Sequence, residues 1–179
     1  MTFVIIPGLD GSDEQHWQSA WEASLPAVRI RPSSWSAPDL ADWSDAITRA
    51  VDGAGDIVFI THSLGCHALA HWMTTSRASS VVGAFLVAPP DPLAPTFPVD
   101  RIPSFAALPA VALGVPAVLI ASTDDPYCSV DAAARLADAW QASLITLDHL
   151  GHINSDSDLG PWTTGRQLLT AFLAGRIAD

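Results

Sequence analysis

Basic residues are scarce in this sequence. Lys and Arg together number 8 against 19 Asp and Glu, giving a formal net charge of −11 over 179 residues. A surface of that sign repels phosphate backbones and anionic membrane faces, so neither nucleic-acid binding nor membrane docking is expected. Cysteine is nearly absent as well. Cys66 and Cys128 are too few for a disulfide framework, and both are expected to be reduced. No Cys or His pair has zinc-type spacing with a matching second pair, so no metal is expected. Long apolar runs are also missing. Hydrophobic residues make up 49% of the chain, yet Pro, Gly or Asp interrupts each run well short of a membrane span. The start, Met1-Thr2-Phe3-Val4, carries no basic leader, which points to the cytoplasm. The sequence contains no internal repeat or low-complexity tract.

A chain of this length fits one domain, residues 1–179, with a single substantial core. Phe3-Val4-Ile5-Ile6 and Val81 to Ala88 are short continuous apolar runs closed by Pro7-Gly8 and Pro89-Pro90, the form of strands buried on both faces. Asp56 to Ile60 and Ala117 to Ala121 have the same form, and Leu144 to Leu147 is a further strand. Ala27-Val28-Arg29-Ile30-Arg31 alternates apolar and polar residues, as an edge strand does. Helical spacing places Trp17, Ala20, Trp21 and Leu25 on one face and Leu40, Trp43, Ile47 and Val51 on another. Further helices are expected over Leu64 to Ser76, from about Val130 to Trp140, and near Trp162 to Ala174. Strands alternating with helices, joined by right-handed crossovers, predict one mostly parallel six-stranded sheet covered on both faces.

Thr61-His62-Ser63-Leu64-Gly65 stands between a buried strand and a helix with no spacer. A serine at such a turn is lifted above the sheet edge, and small neighbours let strand and helix approach. That is the form of a nucleophile elbow, with Thr61 in place of its first glycine. The N–H of Leu64, in the first helical turn, then becomes a donor for an oxyanion. A serine hydroxyl needs a base to take its proton, and the base needs an acid to hold it. Carboxylates Asp124 and Asp125 follow the fifth strand, and His149 and His152 follow the sixth. All of these groups fall at C-terminal strand ends, in the chain order Ser, Asp, His. Cys66, one turn beyond Ser63, reads as a small packing residue. His62, His67 and His71 are tied to the elbow or its helix and are not expected to face the Ser63 hydroxyl.

Ile5-Ile6-Pro7-Gly8 with His16-Trp17 downstream, the turn around Ser63, Ser122-Thr123-Asp124-Asp125-Pro126-Tyr127, and Gly151-His152 before the last helix form a set. That set resembles the compact α/β-hydrolases of the YdeN and retinoblastoma-binding protein 9 type, over essentially the whole chain. The resemblance implies the α/β-hydrolase fold in a minimal serine hydrolase with no lid domain and no cofactor. It puts the acid at the second aspartate of the turn, Asp125, and the base at the histidine after glycine, His152. It also places a second oxyanion donor in the loop after the first strand, at the Leu9 N–H or, next, that of Asp10. His16 and Trp17 match positions beside that loop and are candidates for substrate contact, although Trp17 also suits the core.

Pro89 to Pro116 reads as a long proline-rich loop beyond a strand's C-terminal end, where α/β proteins form ligand crevices. Its apolar members Leu93, Phe97, Ile102, Phe105 and Leu108 are expected to wall an acyl pocket or else to cover the sheet. Asp10 and Asp13 near the site would disfavour strongly anionic substrates. The expected activity is hydrolysis of a small ester, thioester or amide through an acyl-enzyme on Ser63, a carboxylesterase-like reaction. The alternative is a non-catalytic protein-binding module on the same scaffold.

Overall fold

The computed structural model describes residues 1–76, 80–106 and 108–175. Among them lie six strands and five α-helices: β1 (Thr2–Ile6), α1 (Trp17–Ser24), β2 (Ala27–Arg29), α2 (Leu40–Val51), β3 (Ile57–His62), α3 (Leu64–Thr75), β4 (Val81–Val87), β5 (Ala117–Ser122), α4 (Val130–Trp140), β6 (Ser143–Leu147) and α5 (Thr163–Leu173). The strands form one sheet in the order β2-β1-β3-β4-β5-β6. Every neighbouring pair is parallel. Their C-terminal ends therefore share one edge of the sheet, and the loops leaving them converge there.

The period-two geometry of a strand divides its side chains between two cores. Val4, Ile6, Phe59, Leu86 and Leu119 face a cluster that includes Trp43 and Ile47 of α2, Leu69 and Trp72 of α3, and Leu136 and Trp140 of α4. Phe3, Ile5, Ile60, Phe85 and Val118 face the opposite cluster, with Trp17 and Trp21 of α1 and Leu169 and Phe172 of α5. A strand with apolar residues at every position thus requires helices on both faces, as the sequence predicted. The edge strand β2 is shorter than its alternation suggested. Its ladder with β1 ends at Arg29, while the Ile30 N–H still donates to the Ile5 carbonyl.

The helices begin where the sequence supplies caps. Asp39 accepts from the N–H groups of Ala41 and Asp42 at the start of α2, and the Ser129 hydroxyl accepts from Ala132 at the start of α4. The α1 cap is unusual. His16 occupies the N-cap position and its Nδ1 accepts from the Gln18 N–H.

The stretch from Pro89 to Pro116 is irregular apart from a 3-10 turn at Pro103–Phe105, and residue 107 lies outside the described residues. It is fixed rather than trailing. His67 donates from Nε2 to the Pro90 carbonyl at 2.8 Å, Arg135 pairs with Asp91 at 3.1 Å, and the Asp91 N–H donates to the Tyr127 carbonyl.

Gly65 sets how closely α3 approaches β1. A Cβ there would lie 2.5 Å from the backbone oxygens of both Ile6 and Pro7, which are not flexible side-chain ends. Gly65→Ala is therefore expected to destabilise the protein by about 2 to 3 kcal/mol, read from the shift of the urea midpoint at unchanged slope. A midpoint within experimental error of the parent would show that helix and strand can separate there at little cost.

Candidate active site

β3 runs to His62, and Ser63 is the single residue between strand and helix. Its backbone has φ 53° and ψ −126°, a strained conformation for a residue with a Cβ. Two glycines make room for it. Gly65 admits the helix against β1, and a Cβ on Gly8 would lie 2.7 Å from the Cβ of Ser63 and 3.2 Å from its Oγ. Thr61 replaces the usual first glycine without blocking the turn, because its hydroxyl packs 3.0 Å from the thiol of Cys66, one turn along α3. Burial pushes that thiol up to about 12, and that of Cys128 likewise. Both cysteines stay protonated and non-nucleophilic at ordinary pH.

A chain of contacts runs from Ser63. Its Oγ is 2.9 Å from Nε2 of His152, and Nδ1 of His152 is 3.0 Å from each carboxylate oxygen of Asp125. The serine comes from the β3 end, the aspartate from the β5 end and the histidine from the β6 end, so the parallel sheet assembles groups far apart in sequence. Asp124 faces elsewhere. Its Oδ1 accepts from the Ser122 hydroxyl and from the Gly151 N–H, both at 2.8 Å, and the Ser122 bond holds this carboxylate below its usual range. It ties the β5 turn to the β6 loop and leaves Asp125 to meet the imidazole. His149 lies mostly in solvent, 3.6 Å from Asp124.

The loop carrying His152 has positive φ at His149, Gly151 and Ile153. Side chains from other elements hold it in place. The Ser122 hydroxyl accepts from the Leu150 N–H, Trp17 donates from Nε1 to the Ile153 carbonyl at 2.8 Å, and the Ser157 hydroxyl donates to the Leu150 carbonyl. His62, the residue before the serine, donates from Nε2 to the carbonyl of His152 at 2.9 Å, and its ring lies 5.0 Å from the His152 ring. That role escaped the sequence reading, which tied His62 to the elbow and had no local signal for a partner 90 residues away. Tyr127 was missed also. Its ring packs edge-on against His152 at 4.6 Å, and its N–H donates to Asp125.

A cavity of about 370 Å³ opens over Ser63. Leu9 and Leu64 both line it, and the backbone N–H of neither has an acceptor among the described residues. Asp10 borders it too, but its N–H already donates to the Trp35 carbonyl at 2.9 Å, which removes it as the alternative oxyanion donor. Asp10 pairs instead with Arg101, whose Nη2 is 2.9 Å from the carboxylate. His16 borders an adjoining polar cavity rather than this one.

Five of the residues expected to contact substrate lie elsewhere. Phe97 and Phe105 are buried in the core on the α2, α3 and α4 side, and the cavity is walled by Ile102, one of the expected residues, together with Thr96, Pro98 and Arg101. An irregular loop has no fixed alternation, so apolar character alone could not separate inward from pocket-facing positions. Leu93 points into solvent and Leu108 packs against the core. Trp17 belongs to the opposite core, against Trp21 and Trp162, and reaches the site only through its bond to Ile153.

Residues 3–171 match a family model described as serine hydrolase. A search of curated proteins found no match. Among solved structures, a protein of Pectobacterium atrosepticum described as a YdeN-like hydrolase is 36% identical, with a TM-score of 0.84 over 98% of this chain and 92% of its own. The ydeN gene product of B. subtilis is 19% identical, with a TM-score of 0.76 over 97% and 98% of the two chains. Est1E from Butyrivibrio proteoclasticus, bound to ferulic acid, is 14% identical, with a TM-score of 0.74 over 99% and 90%. The last two speak to fold alone. Among the described residues, no helix is long and apolar enough to cross a membrane.

Burial holds three histidines below the usual imidazole range: His16, lowered to about 4, His62 and His67. In the unfolded chain each takes a proton near its ordinary value of about 6.5, so below that the unfolded state binds more protons. Stability is therefore fully present above about pH 6.5 and lost as the pH falls towards 4, with His16 alone accounting for on the order of 3 kcal/mol. The urea midpoint should drop steeply between pH 7.5 and 4.5. A flat midpoint over that range would contradict the neutral, buried state of these rings.

Proposed function

The chain belongs to the serine hydrolase family and is YdeN-like, and from that premise we propose that it hydrolyses a small ester, thioester or amide through an acyl-enzyme on Ser63. The observation carrying this reading is the continuous Ser63, His152, Asp125 contact chain, with spacings of 2.9 and 3.0 Å. In it, His152 keeps its ring proton on Nδ1, donating to Asp125, and Nε2 accepts the Ser63 hydroxyl proton. Oγ then bonds to the substrate carbonyl carbon, and the oxygen takes up negative charge between the N–H groups of Leu9 and Leu64. As the tetrahedral adduct collapses, the bond to the leaving group breaks and the Nε2 proton passes to it. Water repeats the cycle on the acyl-enzyme, with His152 as base, and releases the acid.

The apolar walls of the 370 Å³ cavity, among them Leu64, Pro90, Pro98 and Ile102, suit a short acyl group. A carboxylesterase reaction is thus the favoured class. Asp125 is the acid in this reading because both its oxygens face Nδ1, whereas the bonds of Asp124 are spent on Ser122 and Gly151.

A fluorophosphonate should label Ser63, and p-nitrophenyl esters of increasing acyl length should be turned over with a preference for short chains. Ser63→Ala and His152→Ala are each expected to lower kcat by on the order of 10⁴-fold with the far-UV spectrum unchanged. An unlabelled serine in the folded protein would instead favour a protein-binding scaffold.

The neighbouring aspartates make a separate test. Asp125→Asn should lose about 10⁴-fold in kcat, because an amide favours the wrong tautomer and cannot support the imidazolium. Asp124→Asn should lose far less. The reverse ranking would move the acid to Asp124.

A further inference from the structure

Ser63 and His152 border two cavities, not one. The larger holds the apolar walls described above. The smaller, of about 230 Å³, is lined by Asp10, Asp13, His16 and Asp156 as well as by Ser63 and His152. Leu64 borders the larger and not the smaller.

The smaller cavity is acidic without compensation. Asp10 has Arg101, but among the described residues Asp13 and Asp156 have no cationic partner. The chain contains no lysine at all. Asp13 is held ionised below the usual carboxylate range, chiefly by the Ser155 hydroxyl that donates to it at 2.8 Å.

A second, independent feature lies in the same wall. His16 is only 3% exposed, and its Nδ1 is committed as acceptor to the Gln18 N–H. Its single ring proton therefore resides on Nε2, and this buried N–H finds no acceptor among the described residues. A buried donor left unpaired is costly, and a polar partner supplied by a ligand accounts for it.

We propose that this cavity receives the leaving group and that the leaving group is a small amino alcohol, whose ammonium faces Asp13 and Asp156 while its oxygen accepts from Nε2 of His16. The assignment rests on the hydrolase reading above. There, Leu64 and the apolar walls hold the acyl part in the larger cavity while Leu9 borders both, so the departing group takes the other side of the same carbon. His152 borders both cavities, and its Nε2 proton can reach an oxygen leaving through the smaller one. Oγ of Ser63 bonds to the carbonyl carbon, the ester C–O bond breaks as the tetrahedral adduct collapses, and the alcohol departs with that proton. Arg101 does not oppose this, because its charge is directed at Asp10. A cationic leaving group also gains from the overall charge of −11, which draws it in at low salt.

The test compares two esters of equal shape, butyrylcholine and 3,3-dimethylbutyl butyrate, which differ by one charge. At low ionic strength kcat/KM should favour butyrylcholine by about tenfold, and added sodium chloride should shrink the ratio as screening sets in. Asp13→Asn and Asp156→Asn should each reduce the ratio several-fold. Asn at 13 keeps an oxygen for the turn's N–H groups, and Asp156 lies in a surface 3-10 turn, so a folding failure in one leaves the other to decide. Turnover of both esters at equal rates, or a ratio indifferent to salt and to both variants, overturns the leaving-group assignment while the hydrolase reading stands. Turnover of neither ester overturns the leaving-group assignment, and fluorophosphonate labelling of Ser63 then decides whether the hydrolase reading falls with it.

Discussion

The first turn of α3 lies so close to the end of β1 that only glycine fits at 65, and the position of Ser63 depends on that approach. A strand that must become a helix in one residue forces Ser63 to positive φ, which lifts its side chain clear of the sheet. The same turn leaves the Leu64 N–H, first of the helix, without an internal partner. Gly8 presses against Ser63 from the β1 side and brings the Leu9 N–H to the same cavity. Strain in one backbone unit thus brings a hydroxyl and an N–H of the first helical turn together.

The histidine is held by a different means. Its loop, between β6 and α5, carries six positive-φ residues and pairs with no strand. Its backbone groups are caught one by one: Leu150 by Ser122, Gly151 by Asp124, the His152 carbonyl by His62 and the Ile153 carbonyl by Trp17. These partners come from β5, its following turn, β3 and α1, so the whole sheet edge fixes one imidazole. Several of them are polar groups in buried settings, where a satisfied network is rigid and a broken one costly. Their neutrality matters as well. His62 and His16 sit near His152, and burial keeps both uncharged, so they do not repel the imidazolium that the proposed reaction forms.

Much of this was legible in the sequence. Continuous apolar strands between amphipathic helices require a parallel sheet covered twice, and the order found is that sheet. Ser63 stood out because an apolar run met a helix with no spacer, and the pairs Asp124 with Asp125 and His149 with His152 because their turns end strands five and six; the family resemblance, not the strand ends, pointed to Asp125 and His152 within those pairs. The buried clusters explain why Trp21, Trp43 and Trp140 appear at helical spacing. What sequence could not supply was direction within irregular segments. Phe97 and Phe105 turn inward and Thr96 and Arg101 outward, with no period to announce it.

The sequence by itself determined the sheet, its two covered faces and the three strand ends at which the chemistry is placed, because those follow from local periodicity and from the steric demands of single turns. Only the tertiary structure decided which of two aspartates meets the imidazole, which N–H groups beside Ser63 have no acceptor among the described residues, and how the space around it divides into two cavities, the smaller lined by three aspartates. Those outcomes depend on which hydrogen bonds are already spent between residues as far apart as 10 and 35, 124 and 151, or 62 and 152. Such pairings are fixed by packing in three dimensions, and nothing local in the chain encodes them.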